Sequence, residues 1–269
     1  MSWVRKHIVL ILGLAVLVYT FVPIFVVVLM SFNRPPSEQS KIYKFNQFTL
    51  DNWLHPCSDP SMCQALGRSI GIGLAATLVA TVLGTLLAFA LVRHEFAGRS
   101  AMNLLIFLPM ASPEIVMGSS LLALFVAAGF AGQLGFWTIL IAHIMFCLSF
   151  VVVTVRARLA GLNDTLEQAA MDLYATPRET FWKVTFPLVF PGILGAALLA
   201  FSLSFDDFII TNLNAGNTTT FPMYVWGVSR KTIPMQINVV GTLMLLISIS
   251  IVLGGEWRRS RQAKALAAS

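Results

Sequence analysis

Six apolar stretches free of Asp, Glu, Lys and Arg, or nearly so, recur along the chain, each bounded by basic or turn-forming residues. Runs of roughly 20 apolar residues are long enough to cross a hydrocarbon core as helices. The pattern predicts spans over about 8–32, 70–92, 103–128, 135–156, 188–212 and 236–255, with the break "GFAGQLG" at 129–135 separating the third from the fourth. Arg5 and Lys6 precede the first run as they would a signal peptide. That run is too long for an h-region and no small-x-small site follows it, so it is expected to stay as an anchor. The expectation is an all-α membrane protein forming one transmembrane domain over 1–269.

Composition agrees with the pattern. Of 269 residues, 57% are hydrophobic and 11% charged, with a mean hydropathy of +0.79. That is too little charge to cover a soluble domain. The net charge of +6 does not indicate nucleic acid, because the basic residues stand singly or in pairs between apolar runs. With the amino terminus inside, 12 of the 18 Lys and Arg fall in inner segments, so both termini are expected in the cytoplasm.

The one long inner segment, 157–187, carries polar helix-start signals. In "NDTLEQAAMDLYA", Asp164 can cap a helix with Glu167 three residues on as its capping-box partner. In "ATPRETFWKV", Thr176 can cap a second, with Pro177 at its first position and Glu179 three after the cap. Ala169 and Ala170 leave a smooth face on the first helix. Such a hairpin could rest on the membrane surface or dock another protein.

The stretch "EQAAMDLYATPRETFWKVTFP" resembles the EAA loop of ABC importer permeases through Glu167, Ala169, Ala170 and Pro187, with Val184 and Phe186 as aliphatic substitutes. Tyr174 stands where that family has Gly, a residue that allows a positive-φ turn or close packing. "FTLDNWL", "LPMASPEIVMG", "LSFDDFIIT" and "TFPMYVWGVSRKTIPMQIN" are similar to the spermidine/putrescine (polyamine) permease subfamily. The resemblance implies a type I ABC importer permease fold with six transmembrane helices, in a bacterial cytoplasmic (inner) membrane. It implies a second homologous permease, forming a heterodimer, two ATPase subunits at the 164–187 loop, and an extracytoplasmic polyamine-binding protein. Glu167, Ala169, Ala170, Tyr174 and Pro187 would then be the ATPase-coupling residues. No cofactor would be bound by this chain; ATP and magnesium would sit on the partner ATPase.

Three acids fall inside the spans: Glu114, Asp206 and Asp207. An ionised side chain at mid-bilayer costs at least about 2.5–3.5 kcal/mol, and no Lys or Arg within the spans pairs with them. A transported cation could be the partner. Glu114 follows Pro109, Ser112 and Pro113, where Ser112 can cap a new half-helix; broken helices often build substrate sites. Alternatively the prolines make a plain kink, with Glu114 held by the helix dipole. On a regular helix Asp207 would share a small polar stripe with Ser204 and Thr211, whereas Asp206 has mostly Leu203, Ile209 and Ile210 as neighbours. Asp207 is therefore expected to matter more to a cation path, the alternative being two interfacial caps.

Trp53, Tyr224 and Trp226 suit an interfacial belt, and Trp53 could also meet an ammonium group face-on. His143, with Cys147 one turn on, fits an interhelical hydrogen-bonding group better than a metal ligand. Cys57 and Cys63, in "CSDPSMC", are disulfide candidates, with two unpaired thiols as the alternative. No G-x-x-x-x-G-K-[ST] loop and no nucleophile–base set occurs, so the chain is expected to be non-catalytic. A permease for another small solute and a cation-coupled secondary carrier are the competing functions.

Overall fold

A computed structural model describes residues 2–35, 44–163, 165–230 and 233–267. The chain divides into two compact units, residues 1–61 with 225–269, and residues 62–224.

The first unit is built on two long helices. α1 runs Ser2–Ser31, and its side chains from Ile8 to Leu29 are mostly exposed apolar groups, as lipid-facing residues would be. A two-residue ladder, β1 (Asn33–Arg34) against β2 (Gln47–Phe48), and one turn of helix, α2 (Asp51–Leu54), follow it. This is a small departure from an all-α chain. The buried Asn52 amide nails the turn down by donating to the carbonyls of Ser31 and Asn33 at 3.1 and 3.0 Å.

Within the second unit, α3 (Pro60–Arg93) contributes a face of small residues, and Gly84 lets Val151 approach where a Cβ would sit 2.7 Å away. α4 (Arg99–Ala111) and α5 (Glu114–Ala127) form the expected third span, but it is broken: their axes differ by 111°. Pro113 has no amide hydrogen to continue the ladder and takes the N-cap position of α5. Ser112 does not cap α5, because its hydroxyl donates back to Leu108 O at 2.8 Å. α6 (Phe136–Ala160) is unbroken and the most buried of the long helices.

The expected inner loop is helical for most of its length. α7 (Thr165–Asp172) is followed by one turn, α8 (Pro177–Thr180). Rather than closing a separate helix-turn-helix, the backbone widens into a π turn at Phe181–Thr185 and continues as α9 (Phe186–Asp206). A proline ring clashes with the carbonyl four residues before it, and the extra residue in a wide turn moves that carbonyl away from Pro187. α9 stops at Asp206, short of the expected 212, and α10 (Ile209–Asn214) resumes two residues later. α11 (Phe221–Ser229) and α12 (Gln236–Ala267) complete the chain.

Among the described residues, five helices are thus long and apolar enough to span a membrane, or six if α4 and α5 count as one bent span. Within the first unit α1 and α12 pack together, Val27 filling the space beside Gly241. Within the second, the segments beyond the two breaks meet. Gly118 of α5 lies against Ile210 and Leu213 of α10, and Asn214 donates to Gly118 O at 3.2 Å.

Candidate functional site

Asp207 makes the break in α9. Its backbone is extended (φ −63°, ψ 127°), and its carboxylate collects the amides that a continuous helix would have given to earlier carbonyls. Oδ2 accepts from the Thr211 N–H at 2.7 Å and the Thr211 hydroxyl at 2.8 Å; Oδ1 accepts from the Ile210 N–H at 3.4 Å. Asp207 therefore acts as the side-chain cap of α10, a position where a carboxylate also suits the helix dipole.

His143 of α6 backs this cap. Its Nδ1 lies 2.7 Å from Ser204 Oγ, its Nε2 lies 2.8 Å from Thr211 Oγ1 and 3.5 Å from Asp207 Oδ2, and both ionisable side chains are at most 3% exposed. Since the Thr211 hydroxyl donates to Asp207, its oxygen accepts from Nε2–H; in the neutral ring, Nδ1 then accepts from the Ser204 hydroxyl. Both ring nitrogens are thus occupied within the chain. The thiol of Cys147 is free and buried, and donates to Ala200 O at 3.4 Å.

This geometry gives the two acids different surroundings. Ser204, Asp207 and Thr211 do come together, as the stripe suggested, but through a break and a histidine rather than along a regular helix. Their polar atoms are spent on one another. Asp206, expected to be the lesser, is exposed. Glu114 is likewise exposed, in the first turn of α5, where the helix dipole favours it.

Trp53 belongs to the first unit. Its ring stacks on Phe32 at 5.4 Å between centroids, Phe32 stacks in turn on Phe48, and Nε1 donates to Ser31 Oγ at 3.2 Å. One face is therefore covered by an aromatic neighbour. Tyr224 is buried and Trp226 exposed under the Arg230 guanidinium at 5.2 Å. Cys57 and Cys63 are disulfide-bonded.

In the 157–187 segment the expected second cap forms as read. Thr176 Oγ1 accepts from the Glu179 N–H at 3.3 Å, and Glu179 Oε2 accepts from the Thr176 N–H at 3.1 Å. The Thr176 amide first, then the Lys183 ammonium at 3.0 Å and the Thr176 hydroxyl, push the Glu179 carboxyl down to about 2. The first expected cap, Asp164, lies outside the described residues; beside it Asn163 Oδ1 accepts from the Thr165 N–H at 3.0 Å. Glu167 Oε1 accepts from Arg93 Nη2 at 2.6 Å and Thr185 Oγ1 at 2.8 Å. It braces α7 against the ends of α3 and the π turn, beside a pocket of about 400 Å³ lined by Leu86, Phe89, Met171 and Phe181.

Tyr174 adopts φ +63°, the one non-glycine in the left-handed region among the described residues. Ala175 N–H reaches Ala170 O at 3.1 Å and Tyr174 N–H reaches Met171 O at 2.9 Å, the bond pair of a Schellman C-cap with Tyr174 at C′. Its ring is 97% exposed, beside Leu173 at 82%, and Trp182 is exposed too. Ala169 is exposed, Ala170 half-buried, and Pro187 lies exposed in the first turn of α9.

A membrane protein of bent and broken spans, joined by a capped inner segment, is the class these observations define. Residues 80–257 match the family described as binding-protein-dependent transport system inner membrane component, and the chain belongs to that family. It is 36% identical to the putrescine transport system permease protein PotI of Escherichia coli, over 89% of this chain and 85% of that one. It is 33% identical to the spermidine/putrescine transport system permease protein PotC of Haemophilus influenzae, over 87% of this chain and 89% of that one. In fold it is similar to a bacterial ABC transporter involved in the import of the acidic polysaccharide alginate. The match has a TM-score of 0.61 and 16% identity, and covers 94% of this chain and 97% of the other. The chain is therefore a transport-system subunit with an ABC importer permease fold.

Proposed function

We propose that this chain forms part of the translocation path for polyamines of the spermidine/putrescine class, with both termini in the cytoplasm. The observation that carries the reading is Asp206: an exposed carboxylate at the end of an apolar span. An anionic cargo would be repelled there and at Glu114, whereas an ammonium group would be attracted. The similarity to putrescine and spermidine/putrescine permeases supports the same cargo.

A second, homologous permease would complete the path. Two ATPase subunits would seat on the 164–187 segment, where Leu173, Tyr174 and Trp182 offer exposed apolar surface. An extracytoplasmic binding protein would deliver the substrate. ATP and magnesium would be held by the ATPase, so this chain needs no cofactor of its own.

Uptake of labelled spermidine and putrescine, in cells carrying the full operon, tests the proposal. Asp206→Asn keeps size and removes charge, and it should lower uptake at least tenfold at normal expression. Unchanged uptake by Asp206→Asn would refute its role in the path. Uptake that follows an ion gradient instead of ATP would point to a secondary carrier.

A further inference from the structure

α6 runs antiparallel to the broken helix and holds it at three levels. Thr138 Oγ1 donates to Asn214 O at 2.7 Å beyond the break, and Cys147 donates to Ala200 O before it. His143, between them, contacts both sides: Ser204 on α9 and Thr211 on α10. The interval it bridges, 204–211, contains the extended Asp207, the link residue Phe208 and, immediately before them, the exposed Asp206. Three buried contacts, from Nδ1 and Nε2, thus converge on the break between α9 and α10.

We infer that His143 is a positioning residue for transport: it splints the α9–α10 break, keeps Asp207 committed to capping α10, and so fixes Asp206 where a cation can reach it. The division of labour between two adjacent acids follows. Without His143, Thr211 loses the donor that orients its hydroxyl, Ser204 loses its acceptor, and the link at Asp207–Phe208 is freed to reorganise. Asp206, at the end of the α9 ladder, moves with it. The role in transport rests on the polyamine reading, but the splint itself does not.

The test has two arms. In the first, Asp206→Cys is introduced and its rate of reaction with a cationic methanethiosulfonate reagent is measured in membranes without reductant. The natural cysteines interfere little, because Cys57 and Cys63 are disulfide-bonded and Cys147 is buried. His143→Leu should change the rate at position 206 at least threefold, and His143→Gln, which keeps a donor and an acceptor, should restore it. In the second arm, KM and maximal rate of spermidine uptake are compared in the otherwise natural chain. His143→Leu should raise KM at least fivefold with a smaller change in maximal rate, and His143→Gln should recover most of it. Thr211→Val, milder and similar in shape, serves if His143→Leu fails to accumulate, and should move both readouts in the same direction. Parent-like labelling and parent-like KM in both His143→Leu and Thr211→Val would overturn the inference. A shifted labelling rate in a transporter indifferent to spermidine would keep the splint and discard the cargo.

Discussion

The Glu167 carboxylate accepts a 2.6 Å hydrogen bond from Arg93, a residue 74 positions earlier at the end of α3. The most recognisable acid of the inner segment therefore faces back into its own chain. Partly buried as both side chains are (27% and 22% exposed), the pair is worth more than a surface ion pair and less than a fully desolvated one. Glu167→Lys should destabilise the chain by about 1–3 kcal/mol and lower uptake. Arg93→Glu combined with Glu167→Arg should recover at least half of the lost thermal stability in detergent. No recovery in the double variant, with ATPase copurification lost in Glu167→Lys alone, would make Glu167 a docking group instead.

At the other end of α7, Tyr174 holds a left-handed conformation that costs a residue with a Cβ about 1–2 kcal/mol. Tyr174→Gly should raise stability by about 1 kcal/mol. Tyr174→Ala keeps the Cβ and should not, which separates backbone strain from loss of the ring. Thermal unfolding of the three chains side by side decides the matter; equal stability for Gly and Ala would remove the strain account. If the exposed ring seats in the ATPase, uptake should fall in both variants.

The Glu179 capping box gives a pH dependence with a definite sign. Its folded pKa, about 2, lies below its ordinary value of 4.5, so its contribution is complete above about 4.5 and disappears as pH falls toward 2. Glu179→Gln should be less stable than the parent at pH 6, with the difference shrinking between pH 4.5 and 2. A difference independent of pH across that window would mean that the carboxylate's charge does not contribute.

Gly118→Ala should loosen the contact between α5 and α10. The added Cβ would stand 2.8 Å from Leu213 Cδ1 and 3.2 Å from Ile210 Cα, and overpacking of this kind costs about 1–3 kcal/mol. Leu213→Ala in the same chain should recover part of it, because the nearer atom is a side-chain tip. A fully stable Gly118→Ala would show that the two segments can part at no cost.

Much of the fold was legible because lipid imposes long apolar runs, and the break at Ser112–Pro113 was legible because proline announces it. The break at Asp207 carries no such mark. Neither glycine nor proline lies between 203 and 211; the carboxylate itself outcompetes the helix for the amides of Ile210 and Thr211, and only the surrounding structure decides that contest. Reading 188–212 as one regular helix therefore placed Ser204, Asp207 and Thr211 on the right stripe for the wrong reason, and did not separate the buried Asp207 from the exposed Asp206. The partners of His143 stand 61 to 68 residues away, and Arg93 stands 74 from Glu167, separations at which no local periodicity operates. At Tyr174 the replacement of an expected glycine suggested a turn built differently, with positive φ and close packing both left open; the backbone keeps the positive φ.

The two interruptions also change how force can travel. A continuous helix passes a push along its axis as a rod does, whereas a joint passes on only what its remaining bonds can bear. Movement of the π turn at the start of α9 reaches α10 through the two-residue link Asp207–Phe208 and the bonds around Asp207. α10 is meanwhile tied by Asn214 to α5, itself joined to α4 at a 111° corner. The pair α5–α10 is thus a small coupled lever with two pivots, one at Ser112–Pro113 and one at Asp207–Phe208. Its free travel is limited by the weaker of the contacts at Gly118 and His143.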